Sequence, residues 1–131
     1  HTHHLEEAST LAQSHFEYKT FNKPKIPLID GRGNIWSPWS TDTQALFSYT
    51  LAHQIVEPYD FSCSIEVAVK EFCPDHIVLL GPGNSLGSPV AQVLIDHNWN
   101  GLTSKSDFIK SQEKDPFVIS MGIEEQRNIV L

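Results

Sequence analysis

The 131-residue sequence predicts an α/β fold with a mainly parallel sheet flanked by helices, and three observations carry that expectation. Residues 77–80, Ile-Val-Leu-Leu, are an apolar run with no polar face, as a strand buried on both sides of a parallel sheet requires. The run breaks into Gly81-Pro82-Gly83 and reopens with Leu86, Val90, Val93 and Leu94 at helical spacing, with Asn84 or Ser85 placed to cap the first turn. Upstream, three further segments repeat apolar residues with the helical period.

The first of these has Leu5, Ala8, Leu11, Ala12 and Phe16 on one face and Glu6 and Glu7 near the positive end of the helix dipole. Pro24 and Pro27 then interrupt regular structure, Leu28-Ile29 is a short extended piece, and Asp30-Gly31-Arg32-Gly33-Asn34 is a strong turn signal. The next five residues, Ile-Trp-Ser-Pro-Trp, follow no period and read as irregular. A second helix starts at Ser40 or Thr41, carries Ala45, Leu46, Tyr49, Ala52, His53 and Val56, and ends at Pro58. A third starts near Asp60 with Phe61, Ile65, Ala68, Val69 and Phe72 turned inward, and Cys73-Pro74-Asp75 leads into the central strand. Beyond Ile95 the pattern predicts a loop over 96–101, a short helix over 104–110 and another strand over 117–120. No repeat, low-complexity tract or long linker divides the chain into independent domains.

A net charge of -7 with only nine Lys and Arg argues against a nucleic-acid or acidic-membrane partner, because phosphate surfaces are bound by clustered cations. No apolar run approaches the roughly 20 residues of a membrane span. Cys63 and Cys73 fall in one predicted helix at a spacing that cannot close a local bridge, so a reducing compartment, the cytoplasm, is the expected location. The chain opens at His1, inside what reads as a working motif, which suggests a piece of a longer polypeptide.

Three stretches carry chemistry. Gly83-Asn84-Ser85-Leu86-Gly87 fits G-x-S-x-G between a strand and a helix, the setting of a nucleophile elbow. Ser85 would then need His97 as base and Asp96, Asp107 or Asp115 as orienter, and Asp96 is too close in sequence to serve comfortably. The bland alternative is a turn shaped by glycines. His1-Thr2-His3-His4 could contribute to a zinc site with His15, His53, His76 or His97, although local spacing alone does not select that reading over solvated histidines; no metal is expected. One of these histidines could instead be a general base. In the third stretch, Ala52-His53-Gln54-Ile55-Val56-Glu57-Pro58, the open carbonyls at a helix end could orient an imidazole without a carboxylate, or simply face solvent.

In order and spacing these pieces resemble the C-terminal part of a malonyl-CoA:acyl-carrier-protein transacylase, or a related acyltransferase domain of fatty acid or polyketide synthesis. The family's catalytic histidine, its F-N-x-P-x-x-P segment, its L-x-x-Q-[IL]-x-x-P helix end and its strand into G-P-G-x-x-L correspond to His1, the segment from Phe21 to Pro27, the segment from Leu51 to Pro58, and the segment from Leu80 to Leu86. The likeness covers residues 1–95 of one domain segment spanning 1–131, and leaves 96–131 as an extension without a role. It implies an α/β-hydrolase-like acyltransferase in which His1 deprotonates a serine that attacks malonyl-CoA, and the Gln54 main-chain carbonyl holds the imidazole. The acyl group then passes to the phosphopantetheine thiol of an acyl carrier protein, with the coenzyme A thioester as substrate and no tightly bound cofactor. The family's serine and malonyl-binding arginine lie upstream of its histidine, so the remainder of the domain is an implied partner. Gly81, Pro82 and Gly83 are by the same resemblance a structural turn. A serine hydrolase using Ser85 and a non-catalytic domain that binds a carrier protein or subunit are the competing readings.

Overall fold

The structure is a computed structural model and describes residues 1–81 and 83–131. The chain separates into two units, His1–Ser64 and Ile65–Leu131, and the division falls inside a helix rather than in a linker.

In the first unit, a short 3-10 turn, His3–Leu5, runs into α1, Glu6–His15. The predicted apolar face of α1 is not its buried face. Leu5, Leu11 and Phe16 are 41%, 59% and 54% exposed, and the buried residue of the helix is Ser9. Ser9 is small, and its Oγ donates to the Leu51 carbonyl at 2.7 Å, so the helix turns its small polar side to its neighbour. Periodicity revealed a face but not what covers it.

The residues after the prolines form a hairpin that the sequence left half unread. Strand β1, Leu28–Ile29, pairs antiparallel with β2, Ile35–Trp36, across the Asp30-Asn34 turn. Asp30 makes that turn: it is buried, and its carboxylate accepts from the Arg32 and Asn34 main-chain N-H groups at 2.9 and 3.0 Å and from the Trp36 indole at 3.2 Å. A strand of two residues cannot show alternation, and a buried side-chain network fixes its place instead.

Asp42, not Ser40 or Thr41, caps the second helical rod, accepting from the Gln44 and Ala45 N-H groups. The rod comprises α2, Thr43–Ser48, a π-helical segment, Tyr49–His53, and α3, Gln54–Val56. Its π segment was not foreseen, since an i to i+5 turn leaves no mark in composition. Trp36, Leu46 and Tyr49 form this unit's core, with Phe21 packed against them.

Helix α4, Phe61–Phe72, leads into the second unit. Val69 is fully buried, whereas Phe72, expected inside, is 45% exposed. Cys73 takes a left-handed φ of 43° just past the helix, and both cysteines are free thiols. Strand β3, Ile77–Leu79, pairs in parallel with β4, Val118–Ser120, in register Ile77 to Val118. The mixed α/β class therefore holds, but among the described residues the parallel pairing is confined to this pair and the other sheet is antiparallel. Val78 and Leu80 are 38% and 84% exposed, so β3 is not covered on both faces within the described residues.

Helix α5, Gly87–Asp96, buries Val90, Ala91, Val93 and Leu94. Neither Asn84 nor Ser85 caps it; Leu86 occupies that position without a side-chain bond, and the Gly87 N-H donates to the Asn84 carbonyl. Helix α6, Lys105–Lys114, starts where Ser104 caps it, and α7, Glu124–Arg127, follows β4. Helix α5 packs on β4 and on α6.

Candidate functional site

The end of the second helical rod presents main-chain acceptors, and Pro58 is the reason. An α-helical carbonyl at Gln54 would accept from residue 58, but proline has no N-H, and it also drives the preceding Glu57 into extended backbone, φ -95° and ψ 150°. The Gln54 carbonyl is thereby left open. His1 fills it: the His1 Nδ1 lies in hydrogen-bond contact with the Gln54 carbonyl oxygen. Next to it the Thr2 N-H donates to the Ile55 carbonyl at 3.1 Å. The N-terminal segment is thus pinned along three carbonyls of the rod, those of Leu51, Gln54 and Ile55.

A carbonyl only accepts, so Nδ1 must carry the proton, which leaves the lone pair of a neutral ring on Nε2. The Tyr59 ring stands 5.6 Å from the imidazole, tilted by 41°. Tyr59 in turn lies over Gly31, where an added Cβ would approach its Cδ2 to 2.6 Å. The result is an oriented imidazole with one nitrogen available to take a proton, held without any carboxylate.

Beside this lies a cluster that the sequence reading missed. Arg32 donates through Nε and Nη2 to Asp30 Oδ2 at 3.2 and 2.7 Å, and its guanidinium rests 4.4 Å from the Tyr49 ring centroid. The His53 ring stacks on Tyr49 at 5.6 Å. The Tyr49 hydroxyl accepts from the Gly31 N-H at 3.0 Å. Burial, joined by the negative charge of Asp30, raises the Tyr49 hydroxyl pKa above 10.0 against the pull of that N-H. Burial acts most strongly on Asp30 and by itself would raise its pKa, but hydrogen bonds from Arg32 and Asn34 together with the Arg32 charge hold it below 3.8. The string Asp-Gly-Arg-Gly-Asn is the available signal, and by itself it speaks only for a turn.

Ser85 is exposed, and among the described residues no hydrogen bond joins its side chain to a histidine. His97 Nε2 faces Glu66 Oε2 at 3.4 Å, Asp96 accepts from Gln92, and Asp107 accepts from Thr103 and Ser104. Those Ser104 and Thr103 bonds hold the Asp107 carboxyl below its ordinary value. Asp115 lines a separate cavity of about 450 Å³ with His76, Lys114 and Trp99, whose buried indole N-H has no hydrogen-bond partner among the described residues.

Gly81 has a φ of +98°, a backbone suited to glycine. The Gly83 carbonyl accepts from Ser120 Oγ at 3.3 Å, and a Cβ on Gly122 would come within 3.1 Å of the Gly83 backbone. Pro82 lies outside the described residues.

Three further histidines have side-chain partners of their own. His3 lies 4.0 Å from Glu6, while His15 and His76 contact the carbonyls of Leu11 and Pro116. His4 has its main-chain N-H directed at Thr2 Oγ1. Among the described residues no three His, Cys, Asp or Glu side chains are grouped to hold a metal ion, and no helix is long and apolar enough to cross a membrane. Compared with known proteins, the chain matches no family model, no curated protein and no solved structure, so the geometry of its own residues must carry the functional argument.

Proposed function

We propose that this chain is the base-supplying portion of an α/β-hydrolase-like acyltransferase that moves a malonyl or related acyl group from coenzyme A to the phosphopantetheine thiol of an acyl carrier protein. The supporting observation is the contact between His1 Nδ1 and the Gln54 main-chain carbonyl, at a helix end kept open by Pro58. In this reading Nε2 of His1 removes the proton of a serine outside residues 1–131, the serine oxygen attacks the thioester carbonyl, and coenzyme A leaves as the thiol after accepting that proton. The carrier thiol, giving its proton to His1 Nε2, then attacks the acyl-serine carbonyl, and the serine oxygen leaves after taking that proton back. Gln54 acts by orientation alone, fixing the tautomer that leaves Nε2 as acceptor.

The test is single-turnover acylation by malonyl-CoA of the chain extended with its preceding native sequence. A positioned imidazole contributes about 10² to 10⁴ in rate, so His1→Ala should slow acylation by at least about 10²-fold, while His3→Ala and His4→Ala leave it near wild type. If His4→Ala is the crippling change and His1→Ala is silent, the base is misassigned. The 131-residue chain alone should form no adduct with malonyl-CoA; a stable malonyl ester on Ser85 in its intact mass overturns the proposal in favour of a Ser85 hydrolase.

A further inference from the structure

An open groove of about 690 Å³ runs along the π segment of the first unit, walled by Arg32, Asn34, Trp36, Ser48, Tyr49 and His53. We infer that this groove binds the phosphate group of a small organic phosphate ester, with Arg32, Asn34, Ser48 and His53 as the donors and the lining residues Ala45 and Ala52 against the organic body.

Charge comes first. The chain carries a net -7, yet none of the residues lining this groove is Asp or Glu. The nearby carboxylate, Asp30, lies behind Arg32 with its side chain 1% exposed, and its oxygens are engaged by Arg32, Asn34 and Trp36. Arg32 itself is 46% exposed. Its Nε and Nη2 are committed to Asp30, and its Nη1 has no partner among the described residues.

Preorganisation comes second. The guanidinium is clamped between the Asp30 carboxylate and the face of Tyr49, so little rotamer freedom remains to be lost when an anion arrives. The His53 ring is fixed by stacking on Tyr49, and its nitrogens have no hydrogen-bond partner among the described residues. The π segment belongs to the same device, because it carries both Tyr49 and His53 and runs on from Ser48. A phosphate offers three acceptor oxygens to donors that approach from several sides, and arginine meets it with a planar fork.

The inference stands on this groove and not on acyl transfer, so its failure leaves the His1 experiment untouched. The test is ligand-observed 31P NMR and calorimetric titration of the 131-residue chain with inorganic phosphate, adenosine 3′,5′-bisphosphate and pantetheine 4′-phosphate, with malonate as the carboxylate control. Both esters should bind more tightly than inorganic phosphate, and whichever binds more tightly identifies the source as nucleotide or phosphopantetheine. Arg32→Gln should abolish binding, but it also disturbs Asp30. Asn34→Asp keeps the main-chain N-H that Asp30 uses and places a carboxylate in the groove; it should weaken binding by at least about tenfold, as should His53→Ala, in chains whose circular dichroism is unchanged. Absence of phosphate binding, tighter binding of malonate, or equal affinity in wild type and Asn34→Asp would each overturn the assignment.

Discussion

Replacing Asp30 by Asn exchanges one oxygen for an NH2 group, and the structure separates what each oxygen does. Oδ1 accepts the main-chain N-H groups of Arg32 and Asn34, while Oδ2 accepts the Trp36 indole and the Arg32 guanidinium. An asparagine can keep its carbonyl on the Oδ1 side, but its amide then points donors at donors on the other. Arg32 is half exposed and can turn to water, so its loss costs little; the Trp36 indole, in a residue only 9% exposed, cannot. One buried donor left unsatisfied costs about 1–3 kcal/mol, so Asp30→Asn should destabilise the first unit by about 2 kcal/mol. Asp30→Ala orphans the two turn N-H groups as well and should cost about 3–5 kcal/mol, a large share of a domain stability of about 5–15 kcal/mol. Urea denaturation read by Trp36 fluorescence, in a background with Trp39→Phe and Trp99→Phe, measures both against the same reference. An Asp30→Asn variant within about 0.5 kcal/mol of the reference, or equal to Asp30→Ala, would refute the division of labour between the two oxygens.

The same carboxylate gives a pH signature. Its pKa is depressed in the folded chain, so its contribution is complete above the unfolded value near 3.8 and is lost as pH falls through the lower folded value; the stability gap between wild type and Asp30→Asn should be flat well above 3.8 and shrink as pH falls from there through the folded value. Gly31→Ala would drive a Cβ to 2.6 Å from Tyr59 Cδ2, and the overpacking should cost about 1–3 kcal/mol in urea titrations; a neutral result would show that the ring yields freely.

What the sequence made legible was the part that burial dictates directly. The strand at β3, the buried stripe of α5, the start of α6 near Ser104 and the apolar residues of β4 all follow from local pattern. The misses share another cause. Strand β1 was legible as an extended pair, but its partner β2 is too short to show a period, and the Asp30 carboxylate holds it through contacts invisible to a window of neighbours. Helix α1 showed its stripe, but the buried position went to Ser9, whose hydroxyl donates to the Leu51 carbonyl. At the site, Pro58 announced an open helix end, whereas the pairing of His1 with Gln54 was reached only through family resemblance. The Arg32 groove escapes a sequence reading because the helical period only places Tyr49 and His53 on one helix, and their stacking with an arginine arises only in three dimensions.

The acceptor that meets His1 belongs to the main chain, and this decides what genetics can see of it. Every residue type at position 54 brings the same C=O, so a scan of side chains there would score as tolerant while the contact persisted untouched. The information is written four residues later, where the ring of Pro58 stops the helix and withholds the N-H that would otherwise claim that oxygen. A chain can in this way hide a polar partner from substitution at its own address and expose it at another.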